Sequence, residues 1–140
     1  MGEVSEERRL TVLVLRGQVR VMSALTWQRH CDRTYRITLG GPDGPVTASG
    51  NDLFEALQQV RLQLEPRGWS IAVHGARNDT YPTGMMRDMN GAQRVYVLRL
   101  GRHVHRAHLV FIFHEAAVES LGTVEEQKAY YRDWRLSLKR

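Results

Sequence analysis

The amino-acid sequence predicts an α+β fold: a two-layer sandwich with a mostly antiparallel sheet of about five strands and two helices on one face. Three observations lead there. Several stretches alternate apolar and polar residues with a period of two, the mark of strands. Two other stretches carry apolar residues at helical spacing, with start and stop signals at their ends. The strand-like stretches also follow one another directly, whereas a parallel doubly wound sheet would interleave strands with helices.

A length of 140 residues suits one domain with one core. A hydrophobic share of 42% with 25% charged residues excludes a disordered or membrane-embedded chain. No apolar run approaches the roughly 18 residues that span a bilayer. The opening residues, 1–9, lack the apolar stretch of a signal peptide. No membrane association is expected, and the cytoplasm is the expected location. The lone cysteine, Cys31, excludes an intrachain disulfide framework and is expected to be a small packed residue.

Taken in order, residues 1–9 read as a flexible tail before a single domain over residues 10–140. Residues 10–15 (L-T-V-L-V-L) form a β-branched and leucine run, expected as a buried strand. Residues 17–32 leave two options open: more strand through Val19 and Val21, or a short helix around residues 23–30. Met22 is a candidate translation start, which would set residues 1–21 outside the native fold. Residues 33–39 alternate as a strand, Gly40-Gly41-Pro42-Asp43-Gly44-Pro45 is a turn, and residues 46–48 return. Asn51 or Ser49 then caps a helix whose apolar face is Leu53, Phe54, Leu57, Val60 and Leu64, ended by Pro66 and Gly68.

Residues 69–74 alternate again, with Trp69, Ile71 and Val73 on one face, and residues 94–100 are rich in β-formers. The joining segment, 75–93, is far longer than the about two to five residues of a hairpin loop. Tyr81, Met85, Met86 and Met89 make it too apolar to be left in water. Thr83 can cap one helical turn over 84–89, and Asn90-Gly91 supplies a stop. Met85 or Met86 shares a helical side with Met89. That side is expected to pack onto the sheet edge, with Arg87 and Asp88 facing outward. Residues 101–108 are a polar connection, and 109–113 (L-V-F-I-F) an apolar strand expected at the sheet's centre. Thr123 and Glu126 form a capping box for a last helix striped by Val124, Tyr131, Trp134 and Leu138.

The formal charge is +5, and eighteen of the twenty basic residues are arginine, the side chain suited to pairing with carboxylate or phosphate. From Met89 to His114 there is no acid, yet Arg94, Arg99, Arg102, Arg106 and four histidines are there. Such a block attracts acidic proteins as readily as nucleic acid. His103-x-His105-x-x-His108 is the nearest approach to a metal motif, but no Asp or Glu stands beside it and the segment reads as an exposed turn. No Gly-x-Ser-x-Gly occurs, and Cys31 beside His30 does not make a nucleophile–base pair. Gly40, Gly41 and Gly44 lack a P-loop's lysine and spacing. No metal or cofactor is expected. Arg77 with Asp79 and Arg87 with Asp88 flank the loop's helical turn, where they either pin the loop or present a surface.

The series G-A-R-N-D-T-Y-P-T-G-M-M-R-D-M-N-G-A-Q-R-V-Y at residues 75–96, after Arg67-Gly68-Trp69 at a helix end, resembles a group of small uncharacterised α+β proteins of GC-rich bacteria. The resemblance covers about residues 50–135. It implies a small α+β partner of a larger protein, with an association to immunity proteins of polymorphic toxins, and it carries no catalytic residue over.

The expected function is therefore non-enzymatic protein binding, with a cognate bacterial toxin as a candidate partner. The expected surface is Arg77, Asp79, Tyr81, Arg87, Asp88, Arg94, Arg99 and Arg102. Two alternatives stay open: nucleic-acid binding through the basic 94–108 segment, and a small enzyme holding an anionic substrate with Arg77, Asp79 and Arg87.

Overall fold

The computed structural model describes residues 3–139, apart from the side chain of Met89. The chain is α+β, with antiparallel strands throughout. It divides into two compact units, one running to Ile71 and the other from Ala72.

The first unit is a five-stranded sheet in the order β4-β3-β2-β1-β5. Its strands are β1 (Val4–Arg16), β2 (Val19–His30), β3 (Tyr35–Gly41), β4 (Gly44–Gly50) and β5 (Ser70–Ile71), with helix α1 (Leu53–Leu64) between the last two. Gly17 at a φ of 58° opens the tight turn from β1 to β2, where the left-handed backbone suits a residue without a Cβ. The two options for residues 17–32 resolve as strand. Ser23, Leu25 and Trp27 point inward and Met22 and Ala24 outward, a period of two that no helix supports.

Residues 4–9 are not a tail but the start of β1. From Ser5 onward their side chains are polar on both faces, so no alternation marks them, yet they pair with β2 from Glu6↔Arg29 to Arg9↔Thr26. Ion pairs along the strand, Arg8–Glu6 at 3.0 Å and Arg9–Glu7 at 3.4 Å, match its charges. The hairpin over residues 33–50 forms as expected. Helix α1 buries Leu53, Phe54, Leu57, Val60 and Leu64, all at 2% exposure or less, so the periodicity located the core face. Its cap is Asp52 rather than Asn51 or Ser49. The Glu55 amide donates to Asp52 Oδ1 at 2.7 Å, and the Asn51 amide donates to Glu55 Oε1 at 3.0 Å. Gly50 fits because a Cβ there would meet the Ala56 nitrogen at 2.6 Å.

Cys31 is exposed at the turn after β2, not packed. Its position, just past the last β2 residue, leaves it no inward face.

The alternation at 69–74 holds as a pattern but not as one strand. Ser70 and Ile71 pair with β1 in the first unit, while Val73 bridges Glu115 in the second. The second unit has a three-stranded sheet, β6 (Thr80–Tyr81), β7 (Arg94–Val97) and β8 (Leu109–Phe111), with β7 central. The L-V-F-I-F run therefore makes an edge strand, not a central one. Only its first three residues pair, and the buried Ile112 and Phe113 lie beyond the ladder, where the Gly75 amide donates to the Ile112 carbonyl. Helix α3 (Val124–Ser137) starts at the expected capping box, with the Glu126 amide on Thr123 Oγ1 and the Thr123 amide on Glu126 Oε1.

Helix α2 (Gly84–Asn90) is capped by the Thr83 hydroxyl and stopped by Gly91 in the left-handed region, as expected. Its packing differs. Met85 is 65% exposed, and Met86 is only half-buried. The Met89 side chain lies outside the described residues. What anchors the segment is its flanks: Thr80, Pro82, Gly91 and Ala92 are buried. A helix of so few residues has no room for a continuous apolar stripe, so the chain on either side carries the burial.

Candidate functional site

All of the expected surface residues fall in the second unit, and the structure shows how the loop that carries them is held. Residues 72–78 run alongside 112–122, joined by His74 N–H to His114 O at 2.9 Å, Gly75 N–H to Ile112 O at 2.8 Å and Asn78 N–H to Ser120 O at 2.8 Å. The approach is close enough that a Cβ on Gly122 would meet Asn78 at 2.9 Å. Gln127 of α3 is fully buried, and its amide donates to the carbonyls of Gly75 at 2.9 Å and Arg77 at 2.7 Å. The Thr80 hydroxyl donates to the His74 carbonyl at 2.6 Å. A loop needs such partners, since buried backbone carbonyls without donors are costly.

Arg77 and Asp79 form a two-pronged pair, Nε to Oδ1 at 2.8 Å and Nη2 to Oδ2 at 2.9 Å. This pair pins the loop from within, and it occupies the guanidinium edge that an anionic substrate would need. Tyr81 stacks on Tyr131 of α3 with centroids 4.0 Å apart and planes at 6°. Tyr131 in turn lies 6.0 Å from Trp134. Arg87 sits over the Tyr81 ring at 5.8 Å and Arg135 over Tyr131 at 5.7 Å, both within cation–π range. Arg87 thus lies along the stack instead of pointing straight outward.

The basic block splits. Arg94 opens β7, while Arg99 and Arg102 sit in a turn beyond its other end, closed by the Arg102 amide on the Arg99 carbonyl at 3.0 Å. Helix α3 grips that turn. Tyr130 Oη donates to the Leu98 carbonyl at 3.3 Å, Trp134 Nε1 to the Arg102 carbonyl at 2.8 Å, and the Gly101 amide donates to Ser137 Oγ at 2.7 Å. Exposed Arg99 and Arg102 are thereby fixed on the side of α3 that carries Tyr130, Trp134 and Ser137. A different side of the same helix presents Arg132, Arg135, Leu136 and Lys139, which line a shallow depression of about 200 Å³. Leu100 in the turn and Leu136 in the depression are each more than half exposed. Burial raises the Tyr130 hydroxyl pKa, and Asp79 adds to the rise while Arg99 opposes it. The pinned loop and the basic turn therefore meet at one tyrosine.

Asp88 and Arg94 are exposed but stand apart from that turn. Sequence reasoning missed Gln127, Arg132 and Arg135, and it placed Tyr131 in the core stripe, whereas the ring is half-buried in the stack. Arg135 one helical turn after Tyr131 was the available signal. Among the described residues, no group of three His, Cys, Asp or Glu could hold a metal ion. His105 and His108 pack edge to face at 5.7 Å. No described helix is long and apolar enough to cross a membrane.

His74, beneath the loop, has its pKa lowered, first by burial and then by the positive neighbours Arg77 and His114, with Asp79 opposing. A histidine lowered in the fold favours the neutral form there. Its contribution to stability is full above the unfolded value of about 6.5 and is lost as pH falls through the folded value. Thermal denaturation between about pH 7 and about pH 5 is expected to show a falling midpoint that flattens in His74→Gln. An unchanged slope in that variant would assign the acid sensitivity elsewhere.

No family model matches the chain, and no curated protein matches it in sequence.

Proposed function

We propose that the chain is a non-enzymatic protein-binding protein, acting in the cytoplasm, whose contact surface is the basic face of the second unit. What supports this most is the internally braced loop. Arg77 is held by Asp79, the loop backbone by Gln127 and Tyr81 by Tyr131, so the loop is braced by contacts within its own unit. A pre-ordered surface loses little entropy on binding. Exposed Leu136 among Arg132, Arg135 and Lys139 matches the make-up of protein interfaces, where arginine is enriched and apolar anchors sit inside a polar rim. The charge selects a partner with an acidic patch. Residues 75–96 resemble a group of small uncharacterised α+β proteins, a kind that includes immunity proteins, so a cognate bacterial toxin is a partner to test first.

Nucleic-acid binding is served less well by this geometry. The tyrosine of the 94–108 segment, Tyr96, is half-buried in β7, which limits its use as a stacking platform for bases. The enzyme alternative loses Arg77 to Asp79.

The test is a pull-down from the host followed by binding of the purified partner. Arg102→Glu and Arg135→Glu are each expected to weaken binding by about tenfold or more, the scale of one charge-assisted contact. Arg87→Glu is expected to act in the same direction. Binding that survives these reversals would move the surface elsewhere. A partner removed by nuclease, with affinity falling steeply in salt, would instead favour nucleic acid.

A further inference from the structure

The first unit has an open sheet edge that the function proposed above does not use. Strand β1 pairs with β2 along its length, but on its other side it meets only Ser70 and Ile71 of β5, opposite Leu15 and Val14. From Val4 to Leu13 that side has no strand partner among the described residues. Apart from the half-buried Glu6, residues 4–9 are exposed. Such an edge is a template for another strand, and proteins that stay monomeric usually guard it with charges, prolines, bulges or a cover. Here, among the described residues, the one irregularity lies between Val4 and Glu6, and from Glu6 on the strand is regular. Its charges, Glu6-Glu7-Arg8-Arg9, carry both signs, so an antiparallel copy can match them, and no proline interrupts.

We infer that this edge joins two copies of the chain, β1 against β1, into one continuous antiparallel sheet. The register follows from the pleat. Residues opposite each other in an antiparallel pair share a face, so identical strands meet about a residue and not between two. Pairing about Glu7 sets Glu6 opposite the partner's Arg8 and Arg8 opposite the partner's Glu6. Glu7 then meets its own copy, and its charge is already answered by Arg9 at 3.4 Å and by Gln28 Nε2 at 2.6 Å. Moving the axis to Arg8 would set the two Arg8 side chains together and Glu6 against the partner's Leu10. Moving it to Glu6 would set the two Glu6 side chains together. The sequence of the edge thus selects the axis at Glu7. The interface is two-fold and self-complementary, and opposed charges across strands favour pairing as like charges oppose it.

Sedimentation of the purified full chain over a concentration series is expected to show a monomer–dimer equilibrium. Glu6→Arg sets a new positive charge against the partner's Arg8 at both symmetric positions, and Arg8→Glu does the converse with negative charge. Each is expected to raise the dissociation constant by about tenfold or more. The double variant Glu6→Arg with Arg8→Glu restores opposition and is expected to dimerise again, as is an equimolar mixture of the two single variants. Circular dichroism and melting midpoints near wild type would show that the surface changes leave the fold intact. A wild-type chain that stays monomeric overturns the inference, and so does a dimer indifferent to both single reversals. Neither result touches the basic face of the second unit.

Discussion

Gln127→Leu is expected to destabilise the second unit by about 2–4 kcal/mol, the cost of leaving buried acceptors unsatisfied at one site. The side chain is fully buried, and its amide reaches two loop carbonyls and the Thr80 hydroxyl. Leucine matches the volume but donates nothing, so the carbonyls of Gly75 and Arg77 would each lose a donor within a closed interior. The measurement is urea denaturation together with amide exchange. Exchange is expected to quicken over residues 75–82 before global unfolding, since those residues hang on the amide. Partner affinity should fall as well, although Gln127 touches no solvent. If stability drops while loop exchange is unchanged, Gln127 is a core residue only, and the pre-ordered loop loses its main brace.

Trp69→Ala is expected to cost the first unit about 3–5 kcal/mol, the range for removing a large buried aromatic. Trp69 is 2% exposed, its indole Nε1 donates to Asp43 Oδ2 at 2.9 Å, and Arg16 lies over the ring at 4.4 Å. The substitution therefore leaves a void, removes a hydrogen bond to the exposed Asp43 in the β3–β4 turn and removes the cation–π contact together. Trp69→Phe separates these effects. It keeps the ring under Arg16 and loses the hydrogen bond, and it is expected to cost about 1–2 kcal/mol. Chemical denaturation of both variants decides the matter. A phenylalanine variant as unstable as the alanine one would put the weight on Asp43, not on packing.

Legibility in the sequence followed the range of the forces involved. The body of helix α1, the Thr83 cap, the Gly91 stop and the Thr123–Glu126 box are set by residues within a few positions of one another, and they stand where the pattern placed them. The 40–45 turn narrows to Pro42-Asp43, since Gly40, Gly41, Gly44 and Pro45 pair across the hairpin. The start of β1 was illegible for the opposite reason. Residues 4–9 show no apolar alternation, and what makes them strand is pairing with residues 26–30, which no local pattern announces. Residues 69–74 show the same limit from another side, as one alternating run is divided between two units.

For the candidate site, the sequence by itself determined the inventory: a long loop rich in special residues, a basic block free of acids, and the absence of a recognisable catalytic set. Composition and spacing suffice for that, because charge and residue type do not depend on the fold. Only the tertiary structure decided how those residues are disposed. It turned Arg77 inward onto Asp79, laid Arg87 along the Tyr81–Tyr131 stack and set Arg94 apart from Arg99 and Arg102. It also docked the basic turn on a helix about thirty positions along the chain, through Trp134 and Ser137, and laid Arg135 of that helix over the Tyr131 ring. Those contacts are long-range hydrogen bonds and ring packing, whose partners are fixed only when the strands and helices close on one another.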